Sequence, residues 1–466
     1  MTESTHRAAE EATNLSLEGR DIAANLHPFT NLARHEETGP LVVTSGRGVY
    51  VTDDQGRDYI EGVAGLWSAS LGFGGEDTMI DAIMNQLKTL PFYHQFAHKS
   101  HPPGIELAER ILELLPRNMS KVFFNGSGSE ANDTAVKLVW YYNNALGRPK
   151  KKKILSHLKG YHGVTIAAAS VCGLPRLHAD FDLPLPQMRY CDCPHYYRYG
   201  KPNETEDQFA HRLAENLEAM ILREDPDTVA AFFAEPILGA GGLIVPPAKY
   251  YELIQPILDK YDILLVSDEI ICGFGRTGEM FGHSSNGMKP DIVTMAKALS
   301  ASYLPISATA ISEQLYQTIR DNSGKLGVFA HGYTYSGHPV CAAAALEALK
   351  IYKERKILDH VQTVAPAFIK RGLGFADHPM VGEVRTKGLL VALEVVKNKE
   401  TKEPFAATDG VGMMIQDAAQ EEGVIVRALG DTIAVSPPLI ITEDEIDILF
   451  DRLARAFGRV AAKLGY

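Results

Sequence analysis

The chain has 466 residues, of which 45% are hydrophobic and 22% are charged, and its formal net charge is −12. This length is enough for a large hydrophobic core and for two or more domains. The excess of acidic residues argues against a nucleic-acid-binding protein, because such a protein presents a basic surface to the phosphates. No stretch approaches the roughly 18 consecutive apolar residues of a membrane-spanning helix, so we expect no membrane partner.

The cysteines and the N-terminal residues bear on the cellular compartment. The five cysteines are an odd number without the spacing of a disulfide framework, which is typical of a reducing compartment. Residues 1–20 are polar and acidic, and they lack the apolar segment of a secretory signal. We therefore expect a cytoplasmic protein.

Two groups of possible metal ligands are not predicted to bind a metal. Cys191 and Cys193 have no second ligand pair after them. His94, His98 and His101 lie in an aromatic run that lacks carboxylates and ends in two prolines. The aromatic side chains of this run are expected to wall an apolar pocket or to join the core.

The N-terminal part of the chain combines a helical arm with short strands. The arm covers about residues 1–35. From Leu41 onward, alternating apolar residues and turns rich in glycine and aspartate predict a small antiparallel meander. A glycine-rich connection at residues 71–74 then leads into a helix around residues 78–87.

A strand, a glycine-rich loop and a helix follow one another between Lys121 and Tyr142. This order is typical of a phosphate site, because backbone N–H groups and the helix dipole point at the anion. The loop sequence NGSGSEA also matches a dinucleotide fingerprint, but no acidic residue ends the next strand at the required distance. We therefore predict that Gly128 and Ser129 bind a single phosphate group.

An aromatic residue flanked by glycines follows the next predicted strand, in the sequence GYHG at residues 160–163. Such a residue can stack on a flat ring, and Tyr161 is the candidate. Taken alone, a buried tyrosine in a loop explains the pattern equally well.

Two buried strands each deliver one chemically distinctive residue. Residues 263–266 are an unbroken apolar run, the pattern of a strand in a parallel sheet, and Asp268 follows it. Residues 292–296 form a second such run, which is followed by Lys297. Open α/β sheets bind ligands at the carboxyl ends of their strands. The sequence thus predicts a site that combines a fixed negative charge with a desolvated amine.

The sequence GFGRTG at residues 273–278 matches a nucleotide-binding motif literally. It begins several residues after its strand, however, and no amphipathic helix follows it. We predict no nucleotide site here, and this context disfavours a nicotinamide-dependent dehydrogenase.

The phosphate loop, Tyr161, Asp268 and Lys297 together fit one cofactor, pyridoxal 5′-phosphate (PLP). Its phosphate suits a helix N-terminus and its ring suits aromatic stacking. Its aldehyde condenses with a lysine amine, and its pyridine nitrogen pairs with a buried carboxylate. A desolvated lysine also has a lowered pKa and can therefore carry a proton.

The chain resembles the class III aminotransferases of PLP fold type I, in the ω-transaminase (amine:pyruvate) branch. The motifs that carry the resemblance are SDEIICGFGRTG, GSGSEAN, GYHG, HGYTYSGHP and VRALGD. The resemblance implies an α/β fold with a mostly parallel seven-stranded sheet in a large domain, residues 70–335. A small α+β domain would comprise residues 336–466 together with part of residues 1–69, which also contain the N-terminal arm.

The same resemblance implies roles around the cofactor ring. Lys297 would hold the cofactor covalently and then move the proton, and Asp268 would hold the protonated pyridine nitrogen. Tyr161 and Ile270 would pack on the two faces of the ring. Glu235 would be a supporting carboxylate beside the cofactor.

The resemblance also implies residues for the phosphate and the substrates. The partner subunit's Thr334 would complete the phosphate site. Trp67 and Phe96, with Tyr161, would wall the amine pocket. Arg427 would clamp the carboxylate of the keto acid and swing away for an amine with an apolar substituent. Leu238 stands where many members have glutamine, and we expect it to make the pocket approach less polar.

The implied reaction is a ping-pong transfer of an amino group from a primary amine to a keto acid. The amine would be an ω-amino acid, a diamine or an aryl-alkyl amine, and pyruvate is the expected acceptor. Because Thr334 would act across an interface, we expect at least a homodimer, and a tetramer remains open. The alternatives are another PLP enzyme on this scaffold (an aminomutase, racemase or decarboxylase) or a non-catalytic PLP-fold binding protein.

Overall fold

The computed structural model describes residues 16–466, so the first part of the predicted N-terminal arm lies outside it. The strands are, in chain order, β1 (Val43–Arg47), β2 (Tyr50–Asp53), β3 (Asp58–Glu61), β4 (Met119–Asn125), β5 (Lys153–His157), β6 (Met188–Cys191), β7 (Val229–Ala234), β8 (Leu264–Asp268), β9 (Ile292–Met295), β10 (Ser307–Ser312), β11 (Val381–Lys387), β12 (Leu390–Val395), β13 (Val424–Ile425), β14 (Arg427–Leu429) and β15 (Thr432–Val435). The helices are α1 (Leu17–Ala24), α2 (Leu32–Thr38), the distorted α3 (Ala64–Trp67), α4 (Asp77–Thr89), α5 (Pro102–Leu114), α6 (Gly128–Ala145), α7 (Ile166–Val171), α8 (Tyr196–Tyr199), α9 (Glu206–Arg223), α10 (Tyr250–Lys260), α11 (Gly282–Ser285), α12 (Glu313–Leu326), α13 (Pro339–Glu354), α14 (Ile357–Leu373), α15 (Val411–Glu421) and α16 (Glu443–Leu464).

A seven-stranded sheet with the order β4-β10-β9-β8-β7-β5-β6 contains the strands that carry the predicted site. Six strands of this sheet run in one direction, and β10 runs in the opposite direction between β4 and β9. Every residue of β7, β8 and β10 is buried. Consecutive residues, such as Phe232 and Phe233, belong to separate apolar clusters, as expected for strands with helices on both faces. The predicted α/β fold with a mostly parallel seven-stranded sheet is confirmed.

The parallel alignment brings the predicted site residues to one edge of this sheet. Asp268 is the last residue of β8 and pairs with Thr294 of β9. Lys297 begins a 3-10 turn directly after β9, Glu235 follows β7, and Tyr161 lies in the loop after β5. Because the carboxyl ends of these strands meet, residues far apart in the sequence share one crevice.

Two four-stranded sheets are built from the two ends of the chain. One has the order β1-β2-β3-β13, and the other has the order β11-β12-β15-β14. The antiparallel pairing of β1, β2 and β3 confirms the predicted meander. Ile60 of β3 pairs in parallel with Val424 of β13, which joins the meander to the C-terminal part of the chain. No helix within residues 16–466 is long and apolar enough to cross a membrane.

Glu269 fixes the turn directly after Asp268. Its side chain is completely buried. It accepts hydrogen bonds from the backbone N–H groups of Gly282 (2.9 Å) and His283 (2.6 Å), and Nδ1 of the His283 ring lies 2.8 Å from Oε1. A buried carboxylate that satisfies several donors is costly to remove, because the donors are left without an acceptor.

We expect Glu269→Ala to lower the free energy of unfolding by about 3 kcal/mol. The matched control is Glu279→Ala, which removes an exposed carboxylate from the same loop and should change stability by less than about 0.5 kcal/mol. Urea unfolding followed by circular dichroism measures both. A loss in Glu269→Ala as small as that in the control would contradict the role of this carboxylate.

Glu61 stabilises the strained backbone of α3. Ala64, Gly65 and Trp67 all have positive φ angles, of 48°, 70° and 59°, in a region that is unfavourable for residues other than glycine. The Glu61 carboxylate accepts a short hydrogen bond from the N–H group of Gly65. Only 5% of Glu61 is exposed, and this burial raises the pKa of its carboxyl group to about 7.

The raised pKa of Glu61 makes stability depend on pH. An acid whose pKa is higher in the folded than in the unfolded protein favours folding at low pH, and this contribution is lost as the pH rises through the folded pKa, here about 7. Between about pH 5 and pH 8, the wild type should lose up to about 3 kcal/mol relative to Glu61→Gln, which does not titrate. Urea unfolding at each pH tests this. The exposed Glu109→Gln should follow the wild type, and a Glu61→Gln variant that also does so would contradict the assignment.

Candidate active site

A cavity of about 440 Å³ lies at the carboxyl edge of the seven-stranded sheet. Its walls come from the loop between β4 and α6, the loop after β5, and the segments that follow β7, β8 and β9. The predicted cofactor residues that line it are Gly128, Ser129, Tyr161, Glu235, Asp268, Ile270 and Lys297. The fold therefore brings together all of the predicted cofactor residues except Thr334.

One end of the cavity is the N-terminus of α6. This 18-residue helix begins at Gly128 and is capped by Ser127, whose hydroxyl oxygen accepts a hydrogen bond from the N–H group of Glu130 at 3.2 Å. A Cβ atom at Gly128 would lie 2.8 Å from Cδ1 of Ile270, so a larger residue here would displace the Ile270 side chain. The first N–H groups of a helix have no partner within it, and together with the helix dipole they attract an anion.

Asp268 is held in one orientation by three donors. Its Oδ2 accepts a hydrogen bond from Nδ2 of Asn132 at 2.8 Å and lies 2.9 Å from Nδ1 of His162. Its Oδ1 accepts a hydrogen bond from the N–H group of Ile270 at 3.1 Å. Asn132 is fixed in turn, because its Oδ1 accepts a hydrogen bond from the Thr294 hydroxyl at 2.9 Å. The carboxylate is thus a fixed group, and only 3% of the residue is exposed.

Lys297 provides an amine in the same wall of the cavity. Burial lowers the pKa of Lys297 to about 8, although the nearby charges of Asp268 and Glu235 oppose this shift. Its Nζ lies 5.6 Å from the centre of the Trp67 ring. An amine with such a pKa is partly neutral near physiological pH, and it can therefore act as a nucleophile and as a carrier of protons.

Glu235 holds the Tyr161 loop through hydrogen bonds to the backbone. Its Oε1 accepts a hydrogen bond from the N–H group of Tyr161 and its Oε2 accepts one from the N–H group of Gly239, both at 2.8 Å. Burial raises the pKa of Glu235 to about 7 and that of Tyr161 to about 12. The Tyr161 hydroxyl is therefore neutral, and it can donate a hydrogen bond into the cavity.

Trp67 and Arg427 form an aromatic and cationic pair next to Lys297. Trp67 is 3% exposed, and Nε1 of its indole has no hydrogen-bond partner within residues 16–466. Cζ of Arg427 lies 5.1 Å from the centre of the Trp67 ring, within the range of a cation–π contact. Burial lowers the pKa of Arg427, and the neighbouring Tyr161 opposes this shift. Neither residue is among those that line the cavity, and their contacts with a substrate stay predictions.

The cavity fits the predicted PLP in the chemistry of its groups. The α6 N-terminus could hold the phosphate, and the fixed Asp268 carboxylate could pair with the pyridine nitrogen. Ile270 and Tyr161 offer apolar surface for the ring, and Lys297 offers the amine. When bound, PLP supplies an aldehyde that receives the amino group and a ring that draws electrons from the bond losing its proton.

Phe96 and Thr334 lie outside this cavity within a single chain. Phe96 is 46% exposed and packs against Gly332, where a Cβ atom would lie 2.8 Å from Cζ of Phe96. Thr334 is exposed in the loop that precedes α13. Their predicted contacts with the substrate and the cofactor remain predictions that need a second chain.

Sequence reasoning missed the two side chains that hold Asp268. Asn132 follows the glycine loop, directly after Ala131, and a polar residue amid the apolar spacing of α6 was the available signal. His162 stands next to Tyr161 in the GYHG motif, but only the tertiary structure shows that its ring reaches Asp268. Both residues are almost completely buried.

The structure also changes the interpretation of two other positions. The expectation for Leu238 is wrong, because its side chain is completely buried against Cys193 and Ile244 and does not line the cavity. Arg276, in the GFGRTG sequence, is buried and donates a short hydrogen bond to the carbonyl oxygen of Pro437. This arginine therefore fixes the loop to the C-terminal part of the chain.

Known proteins are similar to this chain over most of its length. The family described as "Aminotransferase class-III" matches residues 32–457. The γ-aminobutyrate transaminase 1, mitochondrial, of Solanum lycopersicum is 49% identical over 447 residues, which are 96% of this chain and 85% of that protein. The probable γ-aminobutyrate transaminase 3, mitochondrial, of Oryza sativa subsp. japonica is 52% identical over 423 residues, 91% of this chain and 83% of that protein.

A solved structure extends the similarity to the whole fold. The ω-transaminase from Pseudomonas jessenii in complex with PMP has 51% sequence identity and a TM-score of 0.95. The match covers 97% of this chain and 99% of that one. The predicted cofactor and reaction class are confirmed, and the chain belongs to the class III aminotransferase family, whose members transfer amino groups with PLP.

Proposed function

We propose that this enzyme takes the terminal amino group of an ω-amino acid or an aryl-alkyl amine and transfers it to pyruvate. The observation that carries the proposal is the contact of one Trp67 ring with both the Lys297 amine and the Arg427 guanidinium. A substrate whose amine reaches Lys297 therefore meets an aromatic wall and a cation. Such surroundings suit chains that end in a carboxylate as well as apolar ones.

Arg427 is suited to serve both kinds of substrate. Its guanidinium can bind a carboxylate through two hydrogen bonds, and partial burial strengthens that interaction. It lies on β14, a strand of three residues at the edge of its sheet. We propose that this side chain binds the carboxylate of one substrate and moves away from an apolar substituent of another.

The similar proteins support this substrate range. The plant relatives are named γ-aminobutyrate transaminases, and the solved structure is named an ω-transaminase. γ-Aminobutyrate is an ω-amino acid, with its amine and its carboxylate at opposite ends. We infer that this chain accepts donors of that shape, and that a keto acid as small as pyruvate places its carboxylate at the same arginine.

The chain's own groups divide the chemistry of each half-reaction. We propose that Nζ of Lys297 takes the proton from the substrate carbon and returns it to the neighbouring reacting atom. The Asp268 carboxylate keeps a positive charge on the ring nitrogen, so that electrons move towards the ring. Gly128 and Ser129 bind the phosphate through backbone N–H groups, and Tyr161 and Ile270 hold the ring.

We also propose a homodimer in which Phe96 and the partner subunit's Thr334 complete the site, and a tetramer remains open. Exposed aromatic side chains support this, because they are suited to an interface between subunits. The rings of Phe92 and Tyr335 pack edge-on with centroids 5.8 Å apart, and both residues remain more than one-third exposed. The domain bounds, 1–69, 70–335 and 336–466, stay predictions. The cytoplasmic location also stays a prediction, since related plant proteins are named as mitochondrial or chloroplastic.

Lys297→Ala tests the chemistry. We expect the variant to lose the absorbance band of the lysine-linked cofactor and to transfer amino groups at least about a hundredfold more slowly, because no amine remains to carry the proton. The control, Lys289→Ala, removes an exposed lysine and should keep both properties. A Lys297→Ala enzyme with the absorbance band and full turnover would overturn the assignment.

Arg427→Met tests the choice of substrate. We expect kcat/KM for pyruvate and for γ-aminobutyrate to fall about tenfold or more, because a charge-assisted hydrogen-bonded pair is lost. The value for 1-phenylethylamine, which has no carboxylate, should stay within about threefold. Separate measurement of the two half-reactions distinguishes donor from acceptor effects.

The matched control is Arg176→Met, which removes an exposed positive charge close enough to affect the pKa of Arg427. It should leave all three values nearly unchanged. Equal losses for the carboxylates and for 1-phenylethylamine in Arg427→Met would show that the residue serves packing alone.

A further inference from the structure

Three side chains of the ligand type lie together in the N-terminal arm, apart from the active-site cavity. They are Asp21 in α1, His27 in the following loop and His35 in α2. Nε2 of His27 lies 2.6 Å from Oδ2 of Asp21, and Nε2 of His35 lies 3.3 Å from the same oxygen. The three ligand atoms all lie within 4.8 Å of one another.

We propose that these residues bind a divalent transition metal ion of the zinc class. Two imidazole nitrogens and one carboxylate oxygen are a ligand set that Zn²⁺ prefers, with water in the remaining position. Tetrahedral ligands at about 2.0–2.1 Å from zinc are about 3.3 Å apart. The separation of His35 from Asp21 already has this value. The His27–Asp21 pair, at 2.6 Å, needs to open by about 0.7 Å to reach the same separation.

The burial of His35 is a second, independent observation that supports a bound ion. The residue is 8% exposed, and its Nε2 makes no hydrogen bond within residues 16–466 despite its proximity to Asp21. A buried polar atom without a partner carries a free-energy cost. A metal ion at this position would offset that cost, since it uses the nitrogen lone pair.

Asn25 supplies the outer contact that orients the carboxylate. Its Nδ2 donates a hydrogen bond to Oδ1 of Asp21 at 2.5 Å, which leaves Oδ2 facing the two imidazole rings. Metal-bound carboxylates commonly have such a partner on the oxygen that does not bind the ion. Asp21 and His27 keep exposed fractions of 20% and 29%, so an ion can reach them from solvent.

A second group of one histidine and two acidic residues differs from the first because an arginine lies within it. His195, Glu383 and Glu394 also cluster, but Arg385 lies among them. Its guanidinium is 3.0 Å from Nε2 of His195 and 2.8 Å from Glu394. A protein cation thus takes the place of an ion there. In the arm, the arginine next to His35, Arg34, pairs instead with Asp417 at 2.6 Å.

A metal ion at this site would affect access to the active site. Asp21 and His35 lie on either side of the loop at residues 25–31 and His27 lies within it, so the ion would clamp α1, the loop and α2 together. Phe29, in this loop, packs edge-on to Tyr161 with ring centroids 6.3 Å apart, and Tyr161 lines the cavity. The clamp would therefore hold Phe29 against the wall of the substrate pocket.

Calorimetric titration of the untagged PLP holoenzyme with ZnCl₂ tests the site. We expect one Zn²⁺ per chain in the wild type and at least tenfold weaker binding in Asp21→Asn and in His27→Asn. The matched control is His211→Asn, because His211 is an exposed histidine 3.7 Å from Asp207, and it should bind as the wild type does. All five cysteines are buried and do not compete. Wild type without zinc binding, or undiminished binding in both variants, would overturn the proposal.

Hydrogen exchange tests the clamp with a readout that does not depend on activity. Zn²⁺ should slow amide exchange at residues 25–31 in the wild type and in His211→Asn, but not in His27→Asn. Zinc binding without protection of this loop would show that the ion does not order the arm, and would overturn the link to the pocket.

Discussion

A buried carboxylate is the constraint on which the rest of the site depends. Asp268 lies at the end of a central strand, and an isolated charge there would be prohibitively unfavourable. The fold meets this requirement with donors from three elements: Asn132 in α6, His162 in the loop after β5, and the N–H group of Ile270. The same α6 that supplies Asn132 presents its N-terminus to the cavity, so the carboxylate and the anion site are set by one helix.

Burial also determines what Lys297 can do. A shift of its pKa from 10.5 to about 8 corresponds to about 3 kcal/mol in favour of the neutral amine. The shift would be larger without Asp268 and Glu235, whose negative charges oppose it. The amine is thus balanced between burial, which favours the nucleophilic form, and nearby carboxylates, which allow it to hold a proton. Both forms are therefore accessible to this amine near physiological pH.

The parts that could be predicted from sequence are those that follow from local patterns. Unbroken apolar runs place Asp268 and Lys297 at strand ends, and a glycine loop before an apolar-spaced helix places Gly128. The partners of Asp268 could not be predicted, because hydrogen bonds across elements depend on the order of strands in the sheet. Leu238 was misjudged for a similar reason, since the turn of its loop decides which way the side chain points. Phe96 and Thr334 lie outside the cavity of their own chain, and their predicted contacts involve a second chain.

The cavity at the edge of the seven-stranded sheet and the segments around it differ in regularity. The residues that line the cavity come largely from the rigid edge of the parallel sheet, whereas the residues proposed to meet the substrate come from less regular segments. Trp67 lies on the strained turn α3, Arg427 on the three-residue edge strand β14, and Phe29 on the arm loop. These segments can change without disturbing the hydrogen bonds of Asp268. A scaffold of this kind can keep one reaction constant while its substrates vary, because the interactions that hold the charges are separate from those that select the amine.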